Sequence, residues 1–541
     1  MSYKEKVKLE IKKTLSCDLD VEVERPKIKG HGDLSTNIAM ILAKQEKKNP
    51  LEIAENIKNK IDQKCFSQIT VAKPGFINFS LNDNVLAESL TEVIKEKDSF
   101  GHKKDKTKGS IIVEYVSANP TGDLHLGHGR QASVGDSLAN VLNASGYSVK
   151  KEFYINDYGE QIKKLYDSIW TCYRKLKGEN ISWQEEYPEE LILPHVQSAL
   201  QLKNDYSSLE EIGQIVKDII LKKQKDILKS INVDYDFWFS ETSLHIEEKI
   251  DAMLLELNKK NLTYESEGAV WFKAKEFGDV RDRVLKRSDG RPTYLLADIA
   301  YHVNKFSRAN SLINVWGADH HGQEVGLKGA LNAIGENGNN LEIVFIQLVS
   351  LKKDNAEVRM SKRAGTVFTV EELLEEVGPD AFRYFLVETS PNNRMVFDID
   401  LAKKQDKDNP VFYIQYAHAR SCSIFRQVEH ISLDNSIFSE AELYMNLFSV
   451  SSEKYSATKE LILKILDFPD EIQISAATKQ PSRIAHYLKE LAGSFHQFYT
   501  VCRVITDNEN LTKARLGLVK ATQITIKNGL NLLGISAPEK M

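Results

Sequence analysis

The sequence predicts an α/β protein built on a doubly wound parallel sheet, with an N-terminal α+β domain before it and a C-terminal all-α domain after it. Three observations carry this. Residues 110–116 are a short apolar, β-branched run, as a parallel strand buried on both faces requires. A loop holding Pro120 and Gly122, a helical pattern (Val134, Leu138, Val141, Leu142) and a second strand-like run at 147–154 complete a strand–helix–strand unit. From about residue 376 the apolar spacing is helical almost throughout.

A chain of 541 residues is too long for one ordinary core, so several domains are expected. In residues 1–105, Leu51, Ala54, Ile57 and Ile61 mark a helix and 76–81 alternates as a strand. The Lys- and Gly-rich stretch 101–110 reads as a solvated linker, which sets the first boundary. The sheet domain is placed at 106–375, with a charged, mostly helical insertion at about 160–290 before strand-like runs return at 311–316 and 343–346. The helical domain is placed at 376–541.

A charged share of 28% and the absence of a long apolar run argue against a secretory leader or membrane span, and the cytoplasm is the expected compartment. The five cysteines lie far apart without a CxxC pair, so neither a zinc knuckle nor a disulfide framework is expected, and no residue set is put forward as a metal site. A net charge of −5 neither favours nor excludes RNA, which needs a local basic face rather than a basic average.

Two segments carry chemistry. His125-Leu126-Gly127-His128 opens the helix after the first strand. A helix N-terminus offers unpaired N–H groups and positive dipole to a phosphate, Gly127 permits close approach, and His125 and His128 share one face. The bland alternative is two surface histidines at a helix start. Far downstream, Arg359-Met360-Ser361-Lys362-Arg363-Ala364-Gly365-Thr366 combines cations with small residues, as a phosphate-binding loop would. Lys362 would neutralise a departing pyrophosphate and Arg359 would hold phosphate in bidentate fashion, whereas an ordinary basic turn is the alternative.

Together the segments resemble the HIGH and KMSKS signatures of class I aminoacyl-tRNA synthetases, the second with Arg359 and Arg363 in place of its first Lys and last Ser. Residues 113–136, 294–302, 317–321 and 412–420 are similar to the arginine-specific family, arginyl-tRNA synthetase. So are residues 32–37, 73–78 and 533–541. The resemblance implies a Rossmann-like catalytic domain that uses ATP with Mg²⁺ to activate L-arginine for tRNA(Arg), expected here as a monomer. It places His125, Gly127, His128, Gly317, Asp319, His320, Met360, Ser361 and Lys362 about ATP, with His125, His128, Arg359 and Lys362 catalytic. Glu114, Ser117, Asn119 and His128 would surround the arginine backbone, while Tyr294 and Asp298 would read its guanidinium. Physics agrees with that last pair: a guanidinium needs acceptors in a fork, and positions i and i+4 share a helix face. Tyr413, Tyr416 and Arg420 recur on one helical face and are assigned to tRNA, although such stripes are more often core. Two other readings stay open: a nucleotidyl transferase acting without RNA, and a non-catalytic RNA-binding paralogue.

Overall fold

The computed structural model describes residues 3–15, 19–26, 28, 30–358, 368–428 and 440–541. Near the N-terminus, β1 (Leu34–Thr36), β2 (Phe66–Ala72) and β3 (Phe76–Leu81) form an antiparallel sheet in the order β1-β3-β2. The adjoining helix Pro50–Lys60 starts where Asn49 accepts from the Leu51 N–H and Pro50 supplies a pre-set φ. It buries Ile53, Ala54 and Ile57. Leu51, expected on that stripe, is half-buried, and Ile61 ends the helix.

Three strands then lead into the centre: β4 (Ser110–Tyr115), β5 (Ser148–Ile155) and β6 (Phe237–Ser240). A small antiparallel sheet follows, of β7 (Thr263–Ser266), β8 (Ala269–Phe272) and β9 (Arg283–Lys286). The chain returns to the centre with β10 (Ser311–Gly317) and β11 (Leu341–Ile346). The central sheet is parallel, in the order β11-β10-β4-β5-β6. Chain direction across the sheet therefore reverses between β4 and β10, and a doubly wound sheet opens its ligand crevice there, beyond the carboxyl ends of its strands. The helix Leu126–Ala144 packs hard into the fold: a Cβ on Gly135 would lie 2.4 Å from Tyr115, and one on Gly129 2.5 Å from Phe382.

The insertion helices Glu160–Leu176, Glu189–Leu202 and Leu209–Ser230 enclose a core of their own around Leu165, Ile169, Val196 and Val216. By contrast, one continuous apolar cluster reaches from Tyr3 to Ile535 and joins the N-terminal part, the central helix and the C-terminal helices. The Tyr3 hydroxyl donates to Asp467 across that junction at 2.6 Å.

Two details differ from the sequence expectation. β12 (Val349–Lys353) and β13 (Ala356–Val358) form a hairpin, and β14 (Met395–Asp398) adds parallel to β12, so a strand lies where helix was expected. With four residues, of which Met395 and Phe397 point inward, it is too short to show a period. The small sheet β7–β9, likewise of four-residue strands, went unseen for the same reason.

Candidate active site

The crevice at the switch point begins where β4 ends. Val116 and Ser117 both carry positive φ, 71° and 44°, a conformation that costs a β-branched residue on the order of 1–3 kcal/mol. Side-chain bonds hold the turn: Ser117 Oγ donates to Glu114 Oε1 at 3.0 Å and accepts from the Tyr154 N–H at 3.2 Å. The strain aims this loop into the crevice and leads the chain to His125.

His125 is the cap of the helix Leu126–Ala144. Its Nδ1 accepts from the Gly127 N–H at 3.1 Å, and His128 Nδ1 accepts from the His125 N–H at 3.3 Å. The rings stack with centroids 3.7 Å apart. Because each Nδ1 is an acceptor, a neutral ring must carry its proton on Nε2. The cap thus fixes the tautomer in which both rings present Nε2–H as a donor, beside a helix N-terminus that already favours anions. A Cβ on Gly127 would come within 3.0 Å of the His125 ring, so glycine also keeps this pair in place.

Arg359, Met360, Ser361 and Lys362 lie outside the described residues. The chain on either side of them is placed. β13 ends at Val358, and Phe368 rejoins beside the first motif, its carbonyl accepting from the Leu126 N–H at 3.3 Å. The Val370 N–H then donates to the Leu124 carbonyl at 2.8 Å, and Thr369 bridges to His125.

On the other side of β4, Glu114 is buried with both oxygens engaged: Oε1 by Ser117, Oε2 by the fully buried Lys305 at 2.6 Å. Lys305 also donates to Asn314 Oδ1 at 2.8 Å, and Asn314 Nδ2 meets His302 Nε2 at 2.7 Å. His302 Nδ1 lies 2.7 Å from the Asp298 carbonyl, so it holds the proton, and burial together with Lys305 keeps the ring neutral, far below its ordinary pKa. This network props the helix Tyr294–Phe306 against β4 and β10. On that helix Tyr294 is 61% exposed, and Asp298 is half-buried one turn later.

Asp298 is pushed up to about 8, first by burial, then by the charges of Glu114 and Glu241. Burial likewise pushes Glu241 to about 7, against a hydrogen bond from the Tyr154 hydroxyl. Burial and then the charges of Glu241, Asp298 and Glu114 raise Tyr154 in turn. Among the described residues no lysine or arginine forms an ion pair with Glu241 or Asp298, and Glu241 Oε2 has no hydrogen-bond partner. Lys305, itself paired with Glu114, lowers Asp298 without offsetting those causes, and crowded carboxylates left under-neutralised make a receptor for a cation. Sequence reading found Asp298 but missed Glu241 and Tyr154. Glu241 follows directly on β6, so an acidic residue at the carboxyl end of a sheet strand was the available signal.

The remaining expected residues are more dispersed. Asn119 donates its amide to Gln161 of the insertion at 2.5 Å. Gly317 ends β10, and a Cβ there would come within 2.5 Å of Asp319 Oδ1. Asp319 and His320 are exposed on the following turn, 3.6 Å apart. Tyr413, Tyr416 and Arg420 lie elsewhere, on the helix Pro410–Gln427. Tyr416 is 38% exposed, Tyr413 is half-buried against His496, and the Arg420 guanidinium sits over the rings of Tyr416 and Tyr499 at 5.0 and 4.6 Å.

Residues 89–417 match the catalytic domain of class I (R) tRNA synthetases, well over half the chain. The arginine–tRNA ligase of Shouchella clausii (strain KSM-K16) is 43% identical over 99% of this chain and 99% of its own. The chain belongs to the arginyl-tRNA synthetase family. Residues 1–81 match the arginyl-tRNA synthetase N-terminal domain and residues 414–541 the DALR anticodon-binding domain. A further relative, the arginine–tRNA ligase of Staphylococcus aureus (strain JH9), is 42% identical over 96% of this chain and 95% of its own. A solved putative arginyl-tRNA synthetase from Campylobacter jejuni aligns with a TM-score of 0.77 at 33% identity, covering 85% of this chain and all of the other. The Thermus thermophilus arginyl-tRNA synthetase, at 23% identity, shares the fold over the whole of both chains with a TM-score of 0.79. Membership fits the polarity of the crevice: a helix N-terminus carrying two histidines on one side of β4, an acidic pocket on the other. No helix among the described residues is long and apolar enough to cross a membrane.

Proposed function

We propose that this family member joins L-arginine to the 3′ end of tRNA(Arg) in two steps. The arginine carboxylate attacks the α-phosphorus of ATP and pyrophosphate leaves; a terminal ribose hydroxyl of the tRNA then attacks the arginyl-adenylate, releasing AMP. The observation that carries this is the pairing of an anion site at His125 and His128 with the cation pocket of Asp298 and Glu241, on either side of one strand. Asp298, Glu241 and Tyr154 would hold the guanidinium, with Tyr294 at the mouth. Ser117, Asn119 and Glu114 would orient the α-carbon end, so that the substrate spans β4 and its carboxylate faces the phosphate. The Nε2–H groups of His125 and His128 would steady charge on the α-phosphate, as donors aimed at developing charge do. Gly127, Gly317, Asp319 and His320 would border the nucleotide, and Arg359, Met360, Ser361 and Lys362 would contact its phosphates. No covalent nucleophile is needed; positioning and charge stabilisation do the work.

Mg²⁺ would come in on the ATP phosphates and neutralise them. Tyr413, Tyr416 and Arg420 would stack on splayed tRNA bases. In this reading residues 1–105 contact tRNA, 106–375 catalyse and 376–541 bind the anticodon, in a cytoplasmic enzyme acting as a monomer. Arginine-dependent exchange of labelled pyrophosphate into ATP, with and without tRNA, tests the proposal. Exchange driven by another amino acid in preference to arginine would overturn it.

A further inference from the structure

The stretch around His125 and the stretch that follows residue 367 run antiparallel, with His125 paired to Thr369. The Leu126 N–H donates to the Phe368 carbonyl at 3.3 Å and the Val370 N–H to the Leu124 carbonyl at 2.8 Å. Close to this bridge, Asp123 precedes His125 by two residues and Glu371 lies in the first turn of the helix Val370–Glu388. Two carboxylates brought this close repel each other. Here a third element intervenes. Lys223 Nζ lies 3.0 Å from Asp123 Oδ1 and 2.9 Å from Glu371 Oε2. Lys223 belongs to neither stretch but to the insertion helix Leu209–Ser230. Its neighbour Gln224 is buried and donates to the carbonyls of Asn119 and Gly122, at 3.1 and 2.8 Å, in the same loop.

We propose that Lys223 is a positioning residue that ties the loop leading into His125 to the start of the helix Val370–Glu388, and that this is a task of the insertion. The inference rests on the ATP-dependent reading above. The bridge pairs His125 itself with Thr369, so this tie bears on where His125 and His128 are held. The insertion grips the first motif's loop through Gln224 and neutralises the charge pair across the bridge through Lys223. The lysine is about one-third exposed and its ion pairs are individually modest, so its removal acts on register rather than on folding.

The test compares Lys223→Met, Lys223→Arg and the double variant Lys223→Met/Glu371→Gln in arginine-dependent pyrophosphate exchange, with tRNA(Arg) present. Losing two ion pairs and exposing one repulsion should lower kcat/KM for ATP roughly ten-fold, with KM for arginine within about two-fold of the parent. Lys223→Arg should stay within about three-fold of the parent, since it keeps the charge. The double variant should recover most of the loss, because no like-charge pair then remains; a merely structural lysine would not be rescued by removing its partner. The proposal is overturned if Lys223→Met matches the parent, if the double variant is no better than the single one, or if the loss falls equally on KM for arginine. Exchange by the unsubstituted enzyme tests the reaction itself, so failure of that reading and failure of the Lys223 proposal are told apart.

Discussion

Arginine affinity should climb steeply between pH 6.5 and 8.5, and its binding should expel protons. In the ligand-free pocket Asp298 sits at about 8 and Glu241 at about 7, each raised by burial more than by any other cause. At pH 7, treated as independent sites, Asp298 is then about nine-tenths protonated and Glu241 about half. A guanidinium held between them favours both ionised forms, so binding at pH 7 should release about 1.4 protons. The fraction of enzyme with both groups ionised is about one in twenty at pH 7 and nearly one in two at pH 8, so affinity should improve about ten-fold over that unit. The stability of the free protein runs the opposite way. A carboxyl whose folded pKa is raised contributes stability below its unfolded value, and this is lost as pH rises through the folded pKa, here between about 4 and 8. The melting-temperature increase given by saturating arginine should therefore grow from pH 6.5 to 8.5. Calorimetric titration of arginine in two buffers of different ionisation enthalpy counts the protons directly. A flat affinity across this range, with no buffer-dependent heat, would mean that Glu241 and Asp298 do not meet the guanidinium.

Three other outcomes are expected. His128→Ala should slow arginine-dependent exchange on the order of 10²- to 10³-fold while tRNA retardation on a gel is unchanged, since it deletes one Nε2–H donor and half of the cap. Arg383→Met should destabilise the fold by about 3–5 kcal/mol in urea unfolding: its guanidinium is fully buried, 2.7 Å from Asp136, and also donates to the carbonyls of Leu533 and Ile231. Tyr416→Ala should weaken tRNA binding by about 1–3 kcal/mol in filter binding and leave KM for ATP unchanged, because the ring lies on the C-terminal helices, remote from the crevice.

The anion half of the site was legible in the sequence because it is local. One strand, one loop and the first turn of one helix hold His125, Gly127 and His128 within four residues, and the physics of a helix terminus needs nothing from elsewhere. The cation half was only partly legible. Tyr294 and Asp298 share a turn and could be read as a pair, but Glu241 is 57 residues from Asp298 in sequence and meets it only because β6 closes one edge of the sheet. A buried acidic pocket cannot be written as a run of neighbouring carboxylates, since such a run would face water and be screened; it has to be assembled from separate elements that exclude solvent between them. The same reasoning covers Lys223, which has no motif around it and meets Asp123 and Glu371 only because the insertion helix packs beside both. Short elements such as β14 were hidden for a different reason, having too few residues to express a period. For this family member, then, a local reading finds the residues proposed to bind the nucleotide common to class I synthetases, and of the proposed arginine pocket only the pair Tyr294 and Asp298 that shares one helix turn. Those that it misses, Glu241 and Tyr154, are those that would select arginine, because selecting a cation requires charge brought together from across the fold.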